Sequence, residues 1–175
     1  GYLHEITADA GLLRDWKICG PFENADGSAI RTALGPEQTI DLAASYPGKN
    51  NKPATWKEAR LEDPSGVLDF EAHFGKLDRV TGYAYTTVTS DRAQVVYLRL
   101  SGDDMFELFV NGDKVLQRLV EQPFDYDKDI VPINLAAGEN RILVKVHDNY
   151  GPWRLRARLT ESNRPGSAAA RLLAN

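Results

Sequence analysis

The stretch from residue 101 to residue 146 constrains the fold most, because apolar and polar side chains alternate there between tight turns. The run MFELFV at 105–110 is followed at once by Asn111-Gly112. Asn-Gly is the preferred pair for a two-residue hairpin turn, since both central residues take positive φ. The run GENRILVKV at 138–146 repeats the alternation after a second turn. Period-two patterning between turns predicts an antiparallel sheet.

Segments of strand length recur along the rest of the chain, separated by Gly, Pro and Asn. We predict strands at 15–22, 39–42, 55–59, 67–74, 82–89, 94–100, 105–110, 114–118, 130–135, 141–147 and 153–160. Many short strands without a convincing amphipathic helix predict an all-β fold, an antiparallel β-sandwich or jelly roll, over residues 1–162. The composition changes abruptly at Asn163, so residues 163–175 are predicted to be a linker or C-terminal extension.

Composition and charge exclude several classes of protein. The formal net charge of -4 argues against a nucleic-acid partner. The sequence has no run of the roughly 20 apolar residues needed for a membrane span. Cys19 is the only cysteine, so no internal disulfide forms. The chain begins with Gly and no signal-peptide core follows, which suggests an excised or processed piece of a larger protein.

Two motifs resemble a known group of domains. Val110-Asn111-Gly112 ends a strand in a turn, and LAAGENRILVKV at 135–146 leads into a later strand. Together with DWKICGPFEN and GYAYTTV, these motifs resemble galactose-binding-domain-like β-sandwiches over residues 15–160. That group includes the sugar-binding domains of glycoside hydrolase family 2 and many carbohydrate-binding modules. The resemblance implies the fold, and it implies either a ligand binder or an inert spacer.

Asp103-Asp104 carries a second, narrower resemblance. An Asp pair before a strand and an Asn-Gly turn resembles protective-antigen-like lectin domains, although Met105 stands where those domains commonly have Gly. The resemblance implies a calcium ion that is held by the Asp pair and grips sugar hydroxyls, because calcium takes several oxygen ligands. A calcium ion, if one is bound, is expected to be structural and not catalytic. The alternative is that one carboxylate caps a turn by accepting backbone N–H groups.

The loop HDNYGPW at 147–153 is the preferred ligand-contact region. Aromatic rings stack on the C–H faces of sugars, so Trp153 and Tyr150 are predicted to stack on ligand while Asp148 and Asn149 bond its hydroxyls. The alternative is that Trp153 begins the last strand and folds inward as a core residue. Trp56 is a further candidate in the irregular segment upstream.

Arg154, Arg156 and Arg158 alternate with apolar residues and therefore share one face of a strand. Forked guanidinium donors could recognise an anionic polysaccharide. The alternative is a solvated strand face that pairs with acidic neighbours, for which the Asp-x-Asp-x-Asp stretch at 125–129 is available.

No motif for nucleophilic, metal-dependent or phosphate chemistry occurs. The sequence therefore predicts a noncatalytic carbohydrate-binding module of a larger extracytoplasmic (secreted or periplasmic), polysaccharide-active protein. Its partners would be a polysaccharide or oligosaccharide and the adjacent domains of the parent chain. The alternative is a structural or interaction domain without a ligand of its own. A solvent-exposed Trp153 favours the first interpretation, and a Trp153 buried between the sheets favours the second.

Overall fold

Two antiparallel sheets pack face to face over residues 11–173, the part of the chain that this computed structural model describes. The strands are β1 Asp15–Glu23, β2 Ser45–Pro47, β3 Pro53–Arg60, β4 Val67–Asp69, β5 Val80–Ser90, β6 Gln94–Asp103, β7 Met105–Val110, β8 Asp113–Arg118, β9 Asp129–Leu135, β10 Gly138–Asp148 and β11 Arg154–Thr160. The seven-stranded sheet has the order β2-β3-β1-β5-β10-β7-β8, and the four-stranded sheet has the order β4-β11-β6-β9. The predicted all-β sandwich is confirmed.

The main core lies between the two sheets and follows the period-two pattern of the sequence. In β7, Phe106, Leu108 and Val110 enter this core, while Phe109 points to the opposite face of the sheet. Asn111 follows with φ 51° and Gly112 with φ 90°, as a primed hairpin turn requires. The Asn-Gly signal therefore located the β7–β8 hairpin from sequence alone.

Two predicted strands differ from the structure. The prediction at 67–74 is right only for β4, because Asp69 ends the strand and residues Glu71–Phe74 form the short helix α2. The Asp69 carboxylate accepts the N–H of Glu71 at 2.9 Å, which stabilises a turn in place of an extended chain. Residues 39–42 form no strand, and the short strand of that region is β2.

A long segment covers the outer face of the seven-stranded sheet. We call residues 24–44 the strap; it contains a 3-10 turn at Ser28–Ile30 and the short helix α1, Gly35–Gln38. Its apolar side chains pack on a second cluster of buried residues on that face, which comprises Cys19, Phe22, Ala54, Tyr83, Tyr85, Phe109 and Leu143. The central strands are therefore buried on both faces. No helix among residues 11–173 combines the length and hydropathy needed to cross a lipid bilayer.

The predicted linker or extension packs back on the sandwich over the part that the structure describes, up to Leu173. Ala169 pairs with Thr160, and Leu173 pairs with Thr89. The guanidinium of Arg99 donates to the carbonyl of Arg164 at 2.6 Å. Arg164, Ala169 and Leu173 thus lie against strands of the sandwich. The first ten residues of the predicted domain and the last two of the extension lie outside the described residues.

Gly82 in β5 gives a first testable prediction, because Trp153 lies directly against it. A Cβ at position 82 would approach Trp153 Cζ2 to 2.6 Å. Since both residues are in the close-packed interior, Gly82→Ala is expected to destabilise the fold by about 1–3 kcal/mol in urea unfolding. Gly112→Ala, at φ 90° with no atom within 4 Å, is the comparison variant, in which backbone strain but no side-chain clash is expected. Equal stability of Gly82→Ala and the unsubstituted chain would contradict the packing described.

Candidate functional site

The candidate site lies at the end of the sandwich where the chain crosses between the sheets. Asp104 is the single residue between β6 in the small sheet and β7 in the large sheet, and residues 149–153 carry the chain back from β10 to β11. The N–H of Asp104 donates to the carbonyl of His147 at 2.8 Å. The N–H of Asn149 donates to Asp104 Oδ2 at 2.8 Å. The two crossings are therefore joined, and the predicted Asp pair meets the predicted loop.

We call Asp103, Asp104, Asp148, Asn149 and Tyr150 the loop-end cluster. A third crossing, between β4 and β5, brings Glu71 and Asp78 close enough to act on the charge of Asp148. The peptide bond between Asp103 and Asp104 is cis. Acidic groups from three separate parts of the chain thus surround one end of the sandwich.

Asp148 is the most unusual residue of the cluster. It is 0% exposed, and neither of its carboxylate oxygens has a hydrogen-bond partner among residues 11–173. Burial raises the pKa of Asp148 to about 8, and the negative charges of Asp104, Asp78, Asp103 and Glu71 add to the effect. A buried carboxylate without a donor is costly unless it holds a proton or meets a cation. At neutral pH the Asp148 carboxyl group is therefore expected either to hold a proton or to bind a cation.

The two residues of the Asp pair have different surroundings. Asp103 Oδ2 accepts hydrogen bonds from Arg154 Nε at 3.1 Å and Arg154 Nη2 at 2.8 Å, so its charge is already balanced. Burial is the main cause that raises the pKa of Asp104, and the charges of Asp103 and Glu121 raise it further. Of the predicted metal ligands, Asp104 is consequently the one with no guanidinium partner.

His147 lies beneath the cluster as a neutral side chain. It is 0% exposed, and its Nδ1 is 2.7 Å from Thr81 Oγ1. Burial, with a smaller effect from the nearby charge of Lys145, lowers the pKa of His147 to about 3. His147 supports the cluster from the inside and does not reach the surface.

Tyr150 and Asn149 form the outer rim of the cluster. Tyr150 is 62% exposed. Arg79 Nε donates to its hydroxyl at 3.1 Å, and the Arg79 guanidinium carbon lies 5.6 Å from its ring centroid. Asn149 Nδ2 donates to the carboxylate of Glu121. An exposed ring beside amide and carboxylate groups is a suitable surface for a sugar face and its hydroxyls.

Trp153 does not lie on this surface, which corrects the prediction that it stacks on ligand. It is 0% exposed and stacks on Phe70 with the ring centroids 4.6 Å apart and an interplanar angle of 17°. Its Nε1 donates to the carbonyl of Val146 at 3.3 Å. The side chain takes the inward direction just before β11, so it belongs to the core. The alternative interpretation of Trp153 is the correct one.

Trp56 is also separate from the loop-end cluster. It lies in β3 on the strap side of the seven-stranded sheet, is half-buried, and packs edge-on against Tyr85 with centroids 6.0 Å apart. Of the five predicted ligand contacts, the structure brings Asp148, Asn149 and Tyr150 together, whereas Trp153 and Trp56 lie elsewhere.

Asp148 is the reason to test whether a calcium ion fits here, because its carboxylate has no hydrogen-bond partner among residues 11–173. Within residues 11–173, no three or more Asp, Glu, His or Cys side chains converge as a metal cage. The side chains of Asp104 and Asp148 could supply oxygens, and an ion held there would need backbone or ligand oxygens to reach the six to eight that calcium takes. The side chains of the described residues alone therefore do not form a complete calcium site.

The three alternating arginines, Arg154, Arg156 and Arg158, which we call the arginine ladder, are paired with acidic residues, as the second of the two interpretations states. Arg154 pairs with Asp103, and Arg156 Nη1 donates to Asp127 Oδ1 at 3.0 Å. Arg158 Nε donates to the same carboxylate at 2.9 Å. The guanidinium carbons of Arg154 and Arg156 lie 4.5 and 4.3 Å from the ring centroids of Phe124 and Tyr126. The ladder therefore holds the β8–β9 loop, residues 119–128, on the small sheet.

Sequence reasoning missed four contributors to the site. They reach the cluster from segments that are distant in sequence, and no local motif marks them: Glu71, Asp78, Arg79 and Glu121. Glu121 belongs to the loop that the arginine ladder holds. Only the pairing of those arginines with the 125–129 stretch could have indicated that this loop is close.

Comparison with known proteins supports the fold alone. No family model matches the sequence, and no curated protein is significantly similar to it. Among solved structures, a β-glucosidase from Kluyveromyces marxianus in complex with glucose is similar at a TM-score of 0.50 and 9% identity, over 85% of this chain and 17% of that chain. That similarity agrees with the β-sandwich described above.

Two smaller structures are similar over part of the chain. The PA14 domain of the MpAFP antifreeze protein has a TM-score of 0.40 and 15% identity, over 51% of this chain and 47% of that one. A family 35 carbohydrate-binding module from Clostridium thermocellum has a TM-score of 0.33 and 18% identity, over 44% of this chain and 69% of that one. The match thus spans about half the length of the antifreeze-protein structure.

Proposed function

We propose that this chain is a noncatalytic carbohydrate-binding module of a larger extracytoplasmic protein, and that it binds a sugar at the loop-end cluster. The observation that carries the proposal is an exposed Tyr150 ring two residues after a buried Asp148 carboxylate that has no hydrogen-bond partner among residues 11–173. The ring offers an apolar surface for a sugar face, and the acidic groups beneath it offer oxygens to a cation.

In this proposal Tyr150 stacks on the sugar and the Asn149 amide bonds a hydroxyl. Asp104 and Asp148 would hold a calcium ion, which supplies a positive charge that neighbouring sugar hydroxyls can coordinate. Arg79 and Glu121 keep the Tyr150 ring and the Asn149 amide in place through the hydrogen bonds described. Residue Asp103 would remain with Arg154 and set the position of the adjacent Asp104.

The test is affinity electrophoresis against neutral and anionic polysaccharides, with calcium chloride and with a chelator. Tyr150→Ala is expected to weaken retardation about tenfold or more, since an anchoring aromatic at a site carries much of the binding energy. Tyr126→Ala is the matched control, because Tyr126 is 52% exposed and lies on the arginine ladder. Loss of retardation with chelator would implicate Asp104 and Asp148. No retardation by any polysaccharide would refute the proposal.

The burial of Trp153 favours a second candidate, a structural or interaction domain that packs against a neighbouring domain. This burial removes the largest aromatic that a ligand could have used at the loop end. A higher unfolding temperature of the domain inside its parent protein than alone, with no retardation by any polysaccharide, is the outcome that this candidate predicts.

A further inference from the structure

A groove crosses the outer face of the seven-stranded sheet, on the side covered by the strap. Cavities of about 350, 450 and 150 Å³ lie in a row there. The first two share Tyr85 as a lining residue, and the second and third share Lys17 and Leu42. They therefore lie next to one another, and we call this row of cavities the outer groove.

The outer groove runs across the strands and not along them. Its floor takes one residue from each of five neighbouring strands, namely Trp56 of β3, Lys17 of β1, Tyr85 of β5, Leu143 of β10 and Phe109 of β7. Five strands at the usual spacing extend over about 19 Å. The strap forms one wall through residues 36–42. The groove is thus about 19 Å long, a length that suits an extended chain.

The side chains of the groove indicate which kind of chain it fits. Aromatic rings of Trp56, Tyr85 and Phe109 supply apolar contact on the floor. Charged side chains of both signs line it: Asp15, Glu37, Glu58 and Glu139 are acidic, and Lys17 and Arg141 are basic. Threonine hydroxyls and a glutamine amide complete the walls.

This lining disfavours the other extended polymers. An anionic chain would need a groove of predominantly positive charge. An extended peptide normally adds along a free strand edge. The five strands that the groove crosses each have a neighbour on both sides, so they offer no free edge. Alternating donors and acceptors above aromatic rings suit a ligand whose hydroxyl groups both donate and accept.

We propose that the outer groove binds an internal segment of a neutral polysaccharide chain, independently of the loop-end cluster. This site needs no metal ion, since Lys17 is already paired with Glu58 at 3.1 Å and the Glu37 carboxylate is held by Lys145 and Tyr83. The two sites lie on different surfaces, so the failure of either proposal leaves the other standing.

The test uses the full chain in the presence of a chelator, with cellohexaose, mannohexaose, xylohexaose and laminarihexaose and the matching disaccharides as probes. At least one hexaose is expected to bind about tenfold more tightly than its disaccharide, because it contacts more of the groove. Tryptophan emission reports the binding directly. Trp16 and Trp153 are 1% and 0% exposed, so a shift on binding arises from Trp56.

Leu42→Arg tests the location, because Leu42 is a 43% exposed strap residue that lines two of the three cavities. It is expected to weaken hexaose binding about tenfold or more with an unchanged unfolding temperature. Val95→Arg is the matched control, since Val95 is 51% exposed on the small sheet. Tyr150→Ala is expected to leave this binding unchanged. Absence of hexaose binding, or hexaose binding that survives Leu42→Arg, would overturn the proposal.

Discussion

Replacing Lys145 with Met is expected to lower the free energy of unfolding by about 3–5 kcal/mol, because it leaves a buried carboxylate without its cation. The side chain of Lys145 is 1% exposed and that of Glu37 is 8% exposed. Lys145 Nζ donates to the Glu37 carboxylate and to the carbonyl of Thr32 at 2.9 Å. Tyr83 donates its hydroxyl to the same carboxylate. One lysine thus fixes the strap to the sheet at two points.

Urea unfolding at neutral pH measures this effect, and the outer face provides a matched control. Lys17→Met breaks a pair whose side chains are 38% and 77% exposed, so it is expected to cost less than about 1 kcal/mol. Glu37→Gln in the Lys145→Met background removes the orphaned charge and should recover part of the loss. A cost for Lys145→Met no larger than for Lys17→Met would show that the strap does not bury this pair.

The second large effect concerns pH, and Asp148 and His147 act in opposite directions. Asp148 has a pKa of about 8 in the fold against 3.8 when exposed, so the native state keeps a proton that the unfolded chain has lost. Its contribution to stability therefore falls as the pH rises from about 4 to about 8. His147 has a pKa of about 3 against 6.5, so its contribution falls as the pH drops below 6.5.

Because these contributions oppose each other, the unsubstituted chain should show nearly constant stability between about pH 4 and pH 6.5 and a decline above that range. Asp148→Asn removes the decline and exposes the slope of His147. The difference in unfolding free energy between Asp148→Asn and the unsubstituted chain should grow by up to ~1.4 kcal/mol per pH unit, or about 3 kcal/mol from pH 5 to pH 7.

Thermal and urea unfolding in a chelator, from pH 4 to about pH 8, measure this difference without a contribution from bound metal. Asp41→Asn, at an exposed position in the strap, is the control and should give a curve parallel to that of the unsubstituted chain. Parallel curves for Asp148→Asn as well would mean that the buried carboxylate is already balanced in the native state.

The sequence allowed the sheet to be predicted more fully than the site. Alternation and turn chemistry are local signals, so β7, the Asn111-Gly112 turn and β10 follow from neighbouring residues. The burial of Trp153 is not a local property. A ring at the start of a strand can point to either side, and only the closeness of Gly82 and Phe70 decides that it points inward. Glu37 and Lys145 likewise meet across a long separation in the chain.

The same distinction explains which parts of the loop-end cluster were predicted. Asp148, Asn149 and Tyr150 are consecutive, so one motif identified them together. Asp103 and Asp104 were identified by a second motif, and their position beside the first depends on where β6 and β10 end. Glu71 and Asp78 follow the short strand β4, whose early end at Asp69 the sequence pattern did not predict. The charge environment of Asp148 could not be predicted for that reason.

The outermost strands of the two sheets have features that hinder aggregation when many copies of the domain are close together. β2 and β4 have three residues each, β2 ends in Pro47, β9 contains Pro132, and β8 carries Lys114 and Arg118. Short length, missing N–H groups and charge all hinder the pairing of a strand with another copy. All four open edges are thus protected against edge-to-edge aggregation. Many copies of this domain could therefore be displayed side by side on a surface without forming fibres.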